Sequence, residues 1–269
     1  MSKTFTICTL QPAVSWDRPE RTFDRIAVLL ARATASRGVD IAVLPEHFNA
    51  AMEEPGDDRQ WQAAVAFAAE LARRHRTHLV AGSVERWDGD RQARTNTALV
   101  FNRQGEVVGS YDKRMLFGFE KRRGVAPGGD ALVLDLGGVP CGVLICSDLW
   151  YPDVVRELAG DIDVLCVPAQ TTIRPQSDSA YARMLWHGLA LVRAQENVIA
   201  VAVSDQATTS DAPYRCGGVT AIVDPSAEPD LDAIRRTLDD GGEGYLVATV
   251  DLERLHAFRQ YRRDNGLLP

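Results

Sequence analysis

GVLICSDLWYPD, Gly142–Asp153, reads as a buried apolar strand that stops on Cys146, with a helix beginning a few residues later at Pro152-Asp153. Proline at the first helical position and an acid in the first turn suit such a start. A thiol placed between a strand end and a helix start sits where the macrodipole and unpaired backbone N–H groups favour negative charge. The expectation is a thiol pKa pulled below its free value of about 8.5. Two other apolar strands end on reactive groups. VDIAVL (39–44) runs into Pro45-Glu46, and GEVVGSY (105–111) runs into Asp112-Lys113. Strands of βαβ type present such groups at their carboxyl ends. Base, cation and thiol on three converging strand ends predict a hydrolase.

The rest of the chain alternates in the same way. KTFTICTL (3–10) has the period-two pattern of a strand. A helix is expected over 18–37, with Ile26, Leu29, Leu30 and Ala33 on one stripe and Gly38 as its cap. Residues 47–59 read as a polar, acidic loop, and the alanine-rich stretch 60–75 as a helix. Strands are expected at 77–84, 95–101 and 105–111, the last two joined as a hairpin through Asn102–Gln104, and at 131–136 and 139–145 across Gly137-Gly138. After a helix reaching about Leu158 come a strand at 162–167, a long helix at 178–196 and strands at 198–203, 218–223 and 245–250. The segment 226–244 reads as an acidic surface excursion. Hairpins mixed with crossover helices predict an α/β protein with mixed sheets covered by helices. The 269 residues read as one domain, with a C-terminal tail from about 251.

Composition narrows the function. A net charge of −7 argues against broad nucleic-acid binding, which needs a basic surface. No run approaches a membrane span, and the N-terminus lacks the apolar core of a signal peptide. Five cysteines without paired spacing point to a reducing cytoplasm, and no Cys/His cluster has metal-ligand spacing. Cys8, Cys141 and Cys166 fall inside apolar strands, as small hydrophobes do.

The chemistry follows from the residue types. A thiolate attacks a carbonyl and divides hydrolysis into acylation and deacylation through a thioester. A carboxylate shielded from water, its pKa raised by burial, serves as general base, and Glu46 is the candidate. Lys113 supplies a charge for the oxyanion. There is no G-x-S-x-G elbow. A Cys146–His187 dyad is the alternative pairing.

The three segments resemble the carbon–nitrogen hydrolases of the nitrilase superfamily over about Phe5 to Arg259. Leu44-Pro45-Glu46 is similar to the glutamate motif, and Tyr111-Asp112-Lys113 with Leu116-Phe117 and Glu120 to the lysine motif. Cys146-Ser147-Asp148 with Tyr151-Pro152 and Arg156-Glu157-Leu158 is similar to the cysteine motif. Arg193-Ala194-Gln195-Glu196-Asn197, Asp224-Pro225 and Arg259 resemble later landmarks. The resemblance implies a four-layer α-β-β-α sandwich and a homodimer or larger homo-oligomer formed through helices. It implies Glu46 as base, Lys113 as transition-state stabiliser, Cys146 as nucleophile and Glu120 as a positioning group. It implies no metal or organic cofactor. Ser147 after the cysteine resembles amidases and N-carbamoyl hydrolases rather than nitrile-cleaving members. Ser147, Trp150 and Tyr151 are candidate substrate contacts, with Arg174 or Arg122 the candidate to hold a substrate carboxylate. A small carboxamide is the expected substrate. N-carbamoyl or nitrile hydrolysis, and a non-catalytic binding protein of the same fold, are the alternatives.

Overall fold

The computed structural model describes residues 3–16, 18–35, 37–49, 58–174, 176–227, 230–238 and 240–268. The loop expected over 47–59 therefore lies mostly outside the described residues. In chain order the strands and helices are β1 (Thr4–Gln11), α1 (Pro19–Ala35), β2 (Ile41–Val43), α2 (Arg59–His75), β3 (His78–Val80), β4 (Val84–Asp88), β5 (Ala93–Phe101) and β6 (Val107–Asp112). Then follow α3 (Gly118–Arg122), β7 (Leu132–Asp135), β8 (Pro140–Val143), a 3₁₀ turn (Cys146–Trp150), α4 (Pro152–Ala159), β9 (Val164–Pro168) and β10 (Thr172–Ile173). The chain finishes with α5 (Ser179–Asn197), β11 (Ala200–Ser204), β12 (Arg215–Cys216), β13 (Ala221–Val223), α6 (Leu231–Ile234), β14 (Arg235–Thr237), β15 (Gly244–Asp251) and α7 (Leu252–Asp264).

Two mixed sheets result. One has the order β15-β1-β2-β3-β5-β4, with β6 on the other edge of β5; the second runs β14-β13-β11-β9-β8-β7. Side-chain alternation explains why they stack. Along β1, Phe5 and Ile7 join Ile41, Val43 and Val80 in a core shared with the second sheet. The intervening Cys8 and Leu10 face Ile26, Leu29 and Leu30 of α1 and Ala64, Ala68 and Leu71 of α2. Period two therefore divides one strand between two cores. The second sheet is covered on its far side by α4 and α5, so β9 and β11 are buried throughout. Continuous apolar runs such as VLCVP need this two-sided cover. The order is helix, sheet, sheet, helix, as the resemblance implied.

Several details depart from the expectation. Helix α1 ends at Ala35, and Gly38 is not among the left-handed glycines, so it does not cap it. The segment 226–244 is more than an excursion, since Arg235–Thr237 pairs antiparallel with β13 as an edge strand. From Leu252 the chain is helical to Asp264.

The stretch 77–84 is not one strand. Pairing along β5 breaks at Ala81–Ser83 and resumes as β4. Gly82 sits in the break at φ +50°, where a Cβ would stand 2.0 Å from the carbonyl oxygen of Pro45. The break lets the segment after β2 cross: Glu46 bridges Ser83, and the His47 N–H donates to the Ser83 carbonyl at 2.9 Å. Gly82→Ala is expected to cost about 2 kcal/mol or more, through positive φ and the clash with a backbone oxygen. Because that oxygen precedes Glu46, turnover should fall as well. Urea denaturation and steady-state rates of the variant read the two effects separately.

Candidate active site

The fold brings the three strand ends together. Glu46 follows β2, Lys113 follows β6 and Cys146 follows β8; all three line one cavity of about 430 Å³. All three are buried, Glu46 and Lys113 almost completely. The Lys113 ammonium donates to Glu46 Oε1 at 2.8 Å and to Glu120 Oε2 at 2.8 Å. Glu120 is fully buried beneath it, further fixed by the Phe117 N–H at 2.7 Å. Asn96 bridges the two carboxylates, its Nδ2 donating to Glu46 Oε1 and Glu120 Oε1 at 2.8 Å each. The Cys146 thiol is in hydrogen-bonding contact with the Glu46 carboxylate, and its Sγ lies 3.8 Å from the Gln170 carbonyl oxygen.

The charge pattern inverts two sequence expectations. Burial alone pushes the Glu46 carboxyl up, but the Lys113 ammonium and its hydrogen bond outweigh it and hold the pKa below the ordinary value. Burial and the Glu46 charge push the Cys146 thiol well up, against the opposing pull of Lys113. Burial disfavours the Lys113 ammonium, yet Glu46, Cys146 and Glu120 together more than compensate, so it stays charged. The resting pair is therefore carboxylate and thiol, not carboxylic acid and thiolate. The helix dipole does not reverse this. Cys146 opens a 3₁₀ turn, and α4 begins six residues later at Pro152.

Cys146 holds φ +48°, a left-handed conformation that is strained for a residue with a side chain. The turn is pinned from several sides. Asp148 accepts from the Tyr111 hydroxyl at 2.8 Å and from the Ile145, Met115 and Arg114 N–H groups at 2.9, 2.6 and 3.2 Å. Ser147 Oγ donates to the Met115 carbonyl. From α5, Arg193 donates to the Leu149 carbonyl at 3.0 Å and the Trp150 carbonyl at 3.2 Å. This gives the Arg193–Asn197 motif a structural meaning: it braces the thiol's turn against a long helix.

Of the candidate substrate contacts, Ser147, Trp150 and Tyr151 line the cavity. Arg174 does not. It stands exposed beyond the short ribbon of β10 and β12, outside the lining, and Arg122 is likewise exposed on α3 and absent from the lining. Lys121 takes the place expected of Arg122 at the cavity rim. His187 is buried in α5 and does not line the cavity either, so the Cys–His pairing loses its geometry.

Sequence reading missed Asn96, Thr171 and Trp186. Asn96 stood in Thr95-Asn96-Thr97, a polar run on a buried strand, and that misfit was its signal. Thr171 is held by Asp205, which accepts its N–H at 2.9 Å and its hydroxyl at 2.5 Å; burial lifts that acid to about 6. Trp186 looked like any helical core residue. Glu46, His47 and Glu120 place ligand atoms within 4.8 Å of one another. Both carboxylates already hold the Lys113 ammonium, which a metal cation would have to displace.

The sequence profile of the carbon–nitrogen hydrolase family matches residues 5–260. The chain is 27% identical over 266 residues to the 2-oxoglutaramate amidase of Bacillus subtilis, covering 95% of this chain and 94% of that protein. It is 24% identical over 279 residues to the omega-amidase NIT3 of Saccharomyces cerevisiae, covering 97% and 91%. Among solved structures, Nit3 of that yeast, a nitrilase-superfamily member, superposes with a TM-score of 0.80 at 23% identity, covering 97% of this chain and 95% of that one. An amidase from Nesterenkonia sp. superposes with a TM-score of 0.76 at 24% identity, covering 97% and 96%.

Proposed function

Because the chain belongs to the carbon–nitrogen hydrolase family, we propose that it hydrolyses a small carboxamide through a thioester on Cys146 and releases ammonia. The observation that carries this reading is the Lys113 ammonium held 2.8 Å from both Glu46 and Glu120 beside a buried thiol. The amidase names of the relatives support the amide, as does the capture of butyramide by a variant of the Nesterenkonia amidase.

Glu46 takes the Cys146 proton as the sulfur attacks the amide carbon, forming the C–S bond and a tetrahedral oxyanion. An ammonium has three donors. Two are taken by Glu46 and Glu120, which leaves the third for that oxyanion. The first N–H groups of the 3₁₀ turn, Ser147 among them, have no acceptor within the turn and add donors at the same place. Glu46 returns the proton to the amide nitrogen, the C–N bond breaks and ammonia leaves. Glu46 then deprotonates water, whose oxygen attacks the thioester, and the departing sulfur regains its proton. Glu120 acts through Lys113, holding its ammonium in place.

An N-carbamoyl amino acid finds only the exposed Lys121 at the rim for its carboxylate, since neither Arg174 nor Arg122 lines the cavity. A non-catalytic role has no support from a buried set with every member in place. Oligomerisation through helices is supported by the exposed Tyr181, Met184 and Val192 along α5. A cytoplasmic setting is supported by five buried cysteines, all free. Among the described residues no helix is long and apolar enough to cross a membrane.

The test is ammonia and carboxylic acid release from parallel panels of carboxamides, nitriles and N-carbamoyl compounds. Equimolar ammonia and acid from carboxamides is the expected result. Carbon dioxide release from carbamoyl compounds alone would overturn it. The charge pattern also fixes a pH profile. Glu46 titrates below its ordinary 4.5 and the Cys146 thiol above its ordinary 9.0. The base stays ionised and the thiol stays protonated between those values, so kcat/KM should be level across neutral pH and fall only outside them. Initial rates after dilution into buffers of graded pH read this. An inflection near pH 6 to 7 would bring an imidazole into the mechanism.

A further inference from the structure

We infer that the acyl pocket takes an uncharged, apolar acyl group, a branched or extended alkyl chain or a phenylalkyl group, and rejects acyl groups that carry a carboxylate. This rests on the amidase reading and goes beyond it, because it separates this chain from the relative named for 2-oxoglutaramate, an anionic amide.

Beyond the catalytic groups, the cavity wall is aromatic. Trp150 of the 3₁₀ turn meets Trp186 of α5 edge to face, with ring centroids 5.9 Å apart and planes at 84°. Phe117 and Phe119 form a second edge-on pair at 5.8 Å and 67°. Leu116 and Tyr151 extend this wall, and Ser147, Gln170, Thr171 and Thr172 form a polar side. These groups come from separate elements, so the pocket is built by the fold and not by one flexible loop. A cavity of about 430 Å³ is in the range that encloses whole organic ligands, roughly 300–1,000 Å³. A two-carbon acyl group would leave most of this wall uncovered, and an alkyl or aryl group would displace water from it.

The same wall offers a carboxylate little. The buried cation, Lys113, is already shared between two carboxylates at 2.8 Å. Glu46 adds a negative charge to the lining. Lys121 is exposed at the rim, where water screens a charge pair to little value. Of the neutral polar side chains of the lining, Ser147 is engaged with the Met115 carbonyl and Thr171 with Asp205, and Gln170 and Thr172 add only uncharged groups. A carboxylate pressed against Trp150 and Trp186 would lose its hydration without a buried cation to replace it.

The test compares wild-type kcat/KM on two amides of nearly equal shape, 4-methylpentanamide and succinamate, in which two methyl groups replace two carboxylate oxygens. A straight-chain series from acetamide to hexanamide runs alongside. The expected result is a rise of about fourfold per methylene and a preference for 4-methylpentanamide of at least about 100-fold. Trp150→Arg, which sets a guanidinium in the wall, should narrow that preference by about tenfold or more. The wild-type comparison does not depend on the variant folding. Ammonia release with succinamate preferred would overturn the pocket assignment and leave the amidase reading standing. No ammonia from any amide would overturn both.

Discussion

Cys146→Ala is expected to lower kcat/KM on any carboxamide substrate by at least about 10⁴-fold, with folding intact. Removing a nucleophile from a set of groups that act as a unit forfeits nearly the whole catalytic gain. Glu46 loses its contact with the thiol, but the 2.8 Å bonds among Glu46, Lys113, Glu120 and Asn96 remain, because none of them uses the sulfur. Stability should change by no more than about 1 kcal/mol, since one small buried atom is lost near a cavity. Circular-dichroism melts and ammonia assays of the same preparation separate the two effects. A variant that melts well below wild type would make Cys146 a structural residue first.

Lys113→Met is expected to damage both activity and fold. Lys113 is 1% exposed and is the cation between two carboxylates that are 2% and 0% exposed. Without it, Glu46 and Glu120 face each other across the Asn96 amide and the buried His47 ring, with no ammonium between them. Breaking a buried ion pair from one side costs about 3–5 kcal/mol, because the stranded charge has lost its water as well. One carboxyl will hold a proton instead, so Glu46 loses the influence that keeps it below its ordinary value. Any residual activity should show its acid limb moved to higher pH. Adding Glu120→Gln should recover part of the stability by removing the second charge, and none of the activity. Urea denaturation of the single and double variants reads the recovery. Equal stability of Lys113→Met and wild type would mean that the cluster is hydrated and the charges independent.

Strand ends were the legible part of this molecule. Each of Glu46, Lys113 and Cys146 follows an apolar run that can be read in a short window, and sheets carry such ends to one side. What could not be read is set by contacts distant in sequence. The break at Gly82 follows from a carbonyl at Pro45, thirty-seven positions earlier, that a window around Gly82 does not contain. Arg174 follows a strand end, as the catalytic groups do, but the two-residue ribbon with Arg215-Cys216 carries it to the surface. Trp186 has the spacing of a core helix residue, and only the packing of α5 against the 3₁₀ turn makes it a pocket wall. The proton positions are illegible in sequence for a related reason. A strand end followed by a helix suggests burial at Glu46 and a helix dipole at Cys146, whereas the shared Lys113 ammonium decides the first and desolvation the second. Asn96 marks the boundary: a buried amide on a strand announces that something polar faces it, without saying what.

The most direct measurement is mass spectrometry of wild-type enzyme quenched in acid during turnover of a carboxamide. The peptide containing Cys146 should carry the acyl group of the substrate, labile to hydroxylamine as a thioester is, with the peptides of Cys8, Cys141, Cys166 and Cys216 unmodified. Product formation in rapid-quench single-turnover samples with no acyl group on Cys146 at any time, or with the group on another residue, would contradict the account.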